Sequence, residues 1–212
     1  MAASALSKTR GQKGTSDPGA SDTRDRLRAA IAPVLARRGF PGTTVTEISD
    51  QAGLSRRVFY EYFESERDCF ADAYATAVER IEASLARSPA AAAWPEQVAA
   101  RVKTIVDVFA ADRELVALCL TAPPQAGDEI ATRQAETIAR WLDAILAGPR
   151  PGPDQPSPGA RLGLGGALVL LLAGLDDDHD AGTCAAELTQ ILLAPFLGQA
   201  QARSAALAAS RS

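Results

Sequence analysis

Residues 44–63 read TVTEISDQAGLSRRVFYEYF, and no other stretch of the 212-residue chain constrains the fold as tightly. The string holds two short helical patterns around a glycine. Thr44 and Glu47 have capping-box spacing: the threonine oxygen is set to accept from the Glu47 N–H, and the glutamate to reach back to the Thr44 N–H. Val45, Ile48 and Ala52 then fall on one apolar face. Gly53 ends the first helix, because glycine tolerates the left-handed backbone of a sharp turn. Leu54 is expected as a buried plug, and Ser55 as the cap of a second helix. Val58, Phe59 and Phe63 give that helix a buried side. Arg56, Arg57, Tyr60 and Tyr62 are left to project. This is the pattern of a helix-turn-helix unit, which presents a short helix to a DNA groove.

Around this string the sequence resembles the tetracycline-repressor (TetR) family of bacterial regulators. The matching residues run from Gly39-Phe40 through Thr43-Thr44-Val45-Thr46-Glu47-Ile48, Ala52-Gly53-Leu54-Ser55, Phe59-Tyr60-Glu61-Tyr62-Phe63 and Ser65 to Asp68 and Phe70. The resemblance is specific over residues of about 22–74 and elsewhere extends only to length and helical pattern. It implies an all-α protein: an amino-terminal three-helix helix-turn-helix domain, then a helical ligand-binding and dimerisation domain. It also implies that Thr44 and Tyr60 contact phosphates, that Arg56, Arg57 and Val58 read base edges, and that Tyr62 contacts the backbone. With Thr46 and Ser55 these make up the expected DNA-binding set. One departure stands out: the family places a phosphate-binding lysine where this chain has Glu66, leaving Arg67 as the neighbouring cation for that contact.

The chemistry agrees with these roles. A guanidinium fork can bind guanine O6 and N7 together, worth about 1–3 kcal/mol of base discrimination. Tyrosine hydroxyls donate to phosphate oxygens and set register. Paired arginines on a helix are commonly a solvated face, and aromatics at helical spacing are commonly core. Phe59 and Phe63 fit the second description. Position within the helix-turn-helix favours DNA contact for Arg56, Arg57 and Tyr60.

The net charge of −4 is at odds with a DNA binder until it is divided. Residues 1–70 hold 11 Lys/Arg against 9 Asp/Glu, or +2, and residues 71–212 hold 11 against 17, or −6. The basic balance is confined to the end where DNA would lie. A second reading remains: a helical protein-interaction adaptor with a degenerate reading head, favoured by Glu66 and the low charge. An enzyme is not expected, because the chain has one histidine and neither a nucleotide loop nor a nucleophile motif. No catalytic residue, metal or cofactor is assigned. Residues 1–20 lack the apolar core of a signal peptide, and the longest uncharged apolar run, residues 162–175, is shorter than the roughly 20 residues that span a bilayer. A cytoplasmic protein without membrane contact is expected. Cys69, Cys119 and Cys184 lack metal spacing and read as buried small hydrophobes.

The expected division is a disordered tail at 1–21, a DNA-binding domain at 22–68, a helical regulatory and dimerisation domain at 69–200 with a Pro-rich loop at 147–160, and a flexible tail at 201–212. Lys8, Arg10 and Lys13 lie in the first tail as a candidate basic arm, with a plain solvated tail the favoured reading. Helix one, 22–38, carries Leu27, Ile31, Val34 and Leu35 on one face, with Pro33 as a local misfit. A fourth helix opens at Ser65 with Phe70, Tyr74, Val78, Ile81 and Leu85 at helical spacing. Further helices are expected at 95–111, 113–121, 130–145, 160–175 and 181–197.

The helix at 160–175 is apolar nearly all round, so it must be covered on several sides. The family resemblance pairs the last two helices with those of a second copy, and Leu168, Leu171, Leu172, Leu188 and Leu192 are the expected dimer residues. The central helices, 95–146, form the expected ligand domain, with Phe109, Cys119 and Trp141 as lining candidates for an unknown small-molecule effector. Asp176, Asp177, Asp178, His179 and Asp180 are potential metal ligands by type. Consecutive residues diverge, however, and a cap on the last helix is the simpler role for Asp180 or a neighbour. The resemblance implies a repressor that binds a pseudo-palindromic double-stranded DNA operator as a homodimer and is released by its ligand.

Overall fold

The computed structural model describes residues 18–91, 93–149, 157–175 and 180–209, and among these no strand occurs. The protein is all-α, with an amino-terminal helix-turn-helix and a helical carboxy-terminal domain.

Helix α1 (Pro18–Arg38) places Leu27, Ile31, Val34 and Leu35 at 2% exposure or less. It starts four residues before the expected Asp22 and continues through Pro33. Gly39 stops it at φ +66°, its N–H donating to Leu35 O at 2.8 Å. Phe40 then turns inward, edge-on to Phe70 at 5.3 Å between centroids. Helices α2 (Val45–Ala52) and α3 (Arg56–Phe59) complete the head. Helix α4 (Glu66–Ala86) joins head to body, its Ser65 cap accepting from Asp68 N at 3.2 Å while Asp68 accepts from Glu64 N at 3.1 Å. Arg24 and Arg28 of α1 clamp Asp72 of α4 at 3.3 and 2.8 Å.

The body begins with α5 (Trp94–Ala111), whose Val98, Val102, Ile105, Val106 and Phe109 are wholly buried. A helix expected at 113–121 is divided: α6 (Arg113–Val116) passes into a π-helical turn (Ala117–Thr121) and then a 3-10 turn (Pro123–Gln125). Buried Gln134 of α7 (Asp128–Ile145) fastens this irregular segment by donating to Cys119 O and Leu120 O at 2.9 and 2.8 Å. Backbone carbonyls left over by irregular helix need such a partner when buried.

Helix α8 (Pro158–Ala173) begins two residues before the expected start, because Ser157 caps it and proline at the first helical position loses no hydrogen bond. Residues 150–156 of the expected Pro-rich loop lie outside the described residues, as do residues 1–17 and 176–179, and with them the candidate basic arm and most of the acidic cluster. Asp180 caps α9 (Ala181–Leu197), accepting from Thr183 N at 3.3 Å.

The flexible tail expected from residue 201 is corrected by α10 (Gln199–Ala209), which turns away from α9 at Gly198, φ +78°. Ala202 and Ala206, one turn apart, are buried at 0% and 3%, and α10 packs on α9 and α5. Alanine is a strong helix former whose small side chain carries little hydropathic signal. One buried cluster runs from Leu27 in α1 to Ala202 in α10, so head and body share a core. Cys69, Cys119 and Cys184 are buried within it and free; burial is the first cause that pushes their thiols up to about 12, 12 and 11.

Candidate nucleic-acid interface

The interface is built on the α2–turn–α3 unit. Thr44 is extended (φ −126°, ψ 156°), and its hydroxyl oxygen accepts from Glu47 N at 3.2 Å. The Glu47 carboxylate does not make the expected return bond to the Thr44 N–H. It accepts from the Thr44 hydroxyl at 3.2 Å and pairs with Arg38 Nε at 2.6 Å. One carboxylate therefore ties the end of α1 to the cap of α2.

Gly53 closes α2 at φ +65°, ψ 36°, with its N–H on Asp50 O and Ser49 O. Arg26 adds a bond from Nη2 to Ala52 O at 2.7 Å. Leu54, expected as a buried plug, is only half-buried. Ser55 caps α3 by accepting from Val58 N at 3.3 Å. Beneath α3, Phe59 and Phe63 are 0% and 2% exposed with centroids 5.7 Å apart, and the Arg24 guanidinium lies 4.9 Å over the Phe63 ring. Two aromatic anchors hold one side of the helix and leave the other free.

The free side carries the expected residues unequally. Thr44, Thr46, Ser55, Arg56, Arg57 and Tyr60 are exposed, Tyr60 at 53%. Val58 and Tyr62 are half-buried, and Tyr62 packs against the core. Arg57 pairs with Glu61 one turn on at 3.6 Å, while Arg56 makes no ion pair among the described residues. Arg67 is exposed, but its guanidinium lies beside Gly127, where a Cβ would sit 3.4 Å from Nη1. It therefore faces the loop before α7, an orientation unlike that of a phosphate ligand on α3. Glu66 and Asp68 occupy the first turn of α4, the positive end of the helix dipole.

Residues 27–73 match the model of the family described as bacterial regulatory proteins, tetR family. The head, over those residues, matches the amino-terminal domain of TetR-family regulators. Solved structures share the fold over most of the chain at low identity. The fatty acid degradation regulator FadR from Bacillus halodurans is 16% identical with a TM-score of 0.67, covering 91% of this chain and 99% of its own. FadR from Bacillus subtilis, solved in complex with stearoyl-CoA, is 18% identical with a TM-score of 0.62, covering 82% and 98%. PfmR from Thermus thermophilus is 17% identical, TM-score 0.62, covering 80% and 95%. No curated protein matches the chain in sequence.

Elsewhere in the body the expected residues are redistributed. A cavity of about 500 Å³ lies between the end of α4, the start of α5 and α7. Trp141 lines it; Phe109 and Cys119, 0% and 1% exposed, are core residues that do not. Of the expected dimer residues, Leu168, Leu172, Leu188 and Leu192 are 0% exposed within their own chain, and Leu171 is half-buried. The four fully buried leucines hold the body together and are closed to a partner. On α8 and α9 the outward large apolar residues are Leu162 at 79%, Leu170 at 74% and Ile191 at 39%. Gly163 and Gly166 share the exposed face of α8, and a Cβ on either would meet nothing within 4 Å. The signal was available: leucines at 162 and 170, two turns apart, with glycines at 163 and 166, mark a face distinct from the one carrying 164, 168 and 172.

Among the described residues no helix is long and apolar enough to cross a membrane, and no three metal-ligating side chains converge.

Proposed function

We propose that this protein is a TetR-family regulator that acts in the cytoplasm as a repressor, binding a pseudo-palindromic DNA operator as a homodimer and leaving it when a small-molecule effector binds. The observation that carries the DNA reading is α3 itself: Phe59 and Phe63 anchor one side while Arg56 and Tyr60 stand exposed on the other. Thr44, Thr46, Ser55, Arg57 and Val58 supply further contacts, and Tyr62 a lesser one, while Arg67 is turned to Gly127. Two heads enter successive major grooves about 34 Å apart, which requires two copies. The exposed apolar face of Leu162, Leu170 and Ile191 supports pairing through α8 and α9.

Release follows if the effector favours a body conformation that misplaces the heads. Head and body touch where Gln125 faces Gly39 (3.2 Å from a Cβ there) and where Arg67 faces Gly127, so the irregular segment before α7 is placed to carry the shift. That B. subtilis FadR, with the same fold, holds stearoyl-CoA makes acyl ligands the first class to screen.

The test is a shift assay on operator fragments selected from random DNA. A specific complex with steep salt dependence, lost in Arg56→Ala, is expected. No specific fragment at any salt concentration would refute the reading and leave the helical adaptor.

A further inference from the structure

The hydrogen bonds around Thr44 leave its hydroxyl nothing to give a phosphate. Oγ1 accepts from Glu47 N at 3.2 Å and donates its one proton to Glu47 Oε2, also at 3.2 Å. A hydroxyl has no second proton. The Glu47 carboxylate beside it would also repel a phosphate unless its charge were offset. Two other donors stand at this place. The Thr44 N–H has no acceptor among the described residues, because Glu47 does not make the return bond of a capping box. The second donor is Arg38, at the end of α1.

Arg38 meets Glu47 Oε1 through Nε at 2.6 Å, and its side chain is 62% exposed. Neither of its Nη groups has a partner among the described residues. A guanidinium carries five N–H donors in a fixed fork, so one edge can hold a carboxylate while the rest meets a second anion. A phosphate lies at the rim of the duplex, so reaching it requires no entry into a groove and leaves the bond to Glu47 intact. The other arginines of α1 are turned elsewhere. Arg24 and Arg28 hold Asp72, Arg26 holds Ala52 O, and Arg37 holds Gln51. Arg38 alone is joined, through Glu47, to a residue of the expected DNA-binding set.

We propose that Arg38 is a DNA-contact residue: its Nη groups hold a backbone phosphate beside the Thr44 N–H, and Glu47 is the positioning residue that orients the guanidinium. Arg38 also offsets the Glu47 charge that the phosphate would otherwise face. The inference deepens the DNA reading above and rests on it. A phosphate contact carries no base information, so its loss weakens binding to all sequences alike.

Full-length wild type, Arg38→Gln and Arg38→Gln/Glu47→Gln are titrated with the selected operator and with unrelated DNA over a range of salt. Arg38 is exposed, so its replacement leaves the core intact, and thermal melting checks this. Arg38→Gln is expected to weaken both complexes about tenfold. The slope of log affinity against log salt should become shallower by about one for each head. The double variant separates contact from charge masking, because it also removes the stranded carboxylate. It should stay weaker than wild type and keep the shallow slope; recovery of wild-type affinity would overturn the proposal. Single uncharged methylphosphonates are then placed in turn along each operator strand. One linkage should weaken wild type about tenfold and cost Arg38→Gln nothing further. If every linkage costs the two proteins the same, Arg38 touches no phosphate and the proposal fails. Wild type with no specific operator would refute the DNA reading and this inference with it. Specific binding by wild type, with Arg38→Gln unchanged in affinity and slope, would refute this inference alone.

Discussion

Arg56 and Arg57 are chemically identical neighbours, yet the fold gives them different surroundings. Arg57 reaches back to Glu61 at 3.6 Å, while Arg56 has no ionic partner among the described residues. An unpaired guanidinium can enter a groove without first breaking a bond, so Arg56→Ala should cost about 1–3 kcal/mol of operator binding, roughly a tenfold to hundredfold loss by shift assay. Arg57→Ala should cost less. Tyr60→Phe removes a hydroxyl with one phosphate contact to offer, and should weaken binding to all sequences alike.

Asp72 makes a different prediction at the same scale. Burial by itself would raise its carboxyl pKa. The hydrogen bonds from Arg28 and Arg24 outweigh that, and the carboxyl sits below its ordinary 3.8. A carboxyl depressed by folding stabilises the folded state above its unfolded pKa and loses that contribution as pH falls through the folded value. Asp72→Ala should therefore lower stability by about 1–2 kcal/mol, with a difference from wild type that is constant from pH 7 to pH 5 and shrinks below about pH 4. Chemical denaturation at each pH measures it.

At the scale of elements, short helices here depend on their ends. Helix α3 has four residues and too few internal hydrogen bonds to persist alone. Its Ser55 cap, the left-handed Gly53 before it and the two phenylalanines beneath it hold it in place. Gly53→Ala forces a Cβ into φ +65°, at about 1–2 kcal/mol. Phe59→Ala should cost about 3–5 kcal/mol, seen as a lower melting temperature and lost operator binding. Helix α10 shows the opposite economy. Its buried residues, Ala202 and Ala206, are so small that no periodic pattern announces them. The element follows from a neighbouring surface, α9 and α5, which a local reading of the chain does not include.

Across the whole molecule, the expected boundary at residues 68–69 falls inside the first turn of α4, and the core crosses it without interruption. Thermal unfolding followed by a probe in the head and a probe in the body should give one coincident transition, and two separated transitions would refute a shared core. Assembly belongs to the same scale. Leu170→Arg places a charge on an exposed apolar face without touching the monomer's core, so it should yield a folded monomer by light scattering, with operator affinity reduced. Leu168→Arg should instead unfold the chain, because Leu168 is wholly internal.

The sequence alone determined the head. A capping threonine, a left-handed glycine, a capping serine and helical apolar spacing act between residues a few positions apart, so residues 44–63 carried their own instructions. The positions of most long helices followed for the same reason. Tertiary structure decided what depends on distant neighbours: that Glu47 turns to Arg38, that Arg67 leans on Gly127, and that Phe109 and Cys119 are core while Trp141 lines a cavity. It also decided which leucines of the apolar α8 face inward. A helix apolar all round states that it is covered, but which side meets its own chain is set by where α7 and α9 lie.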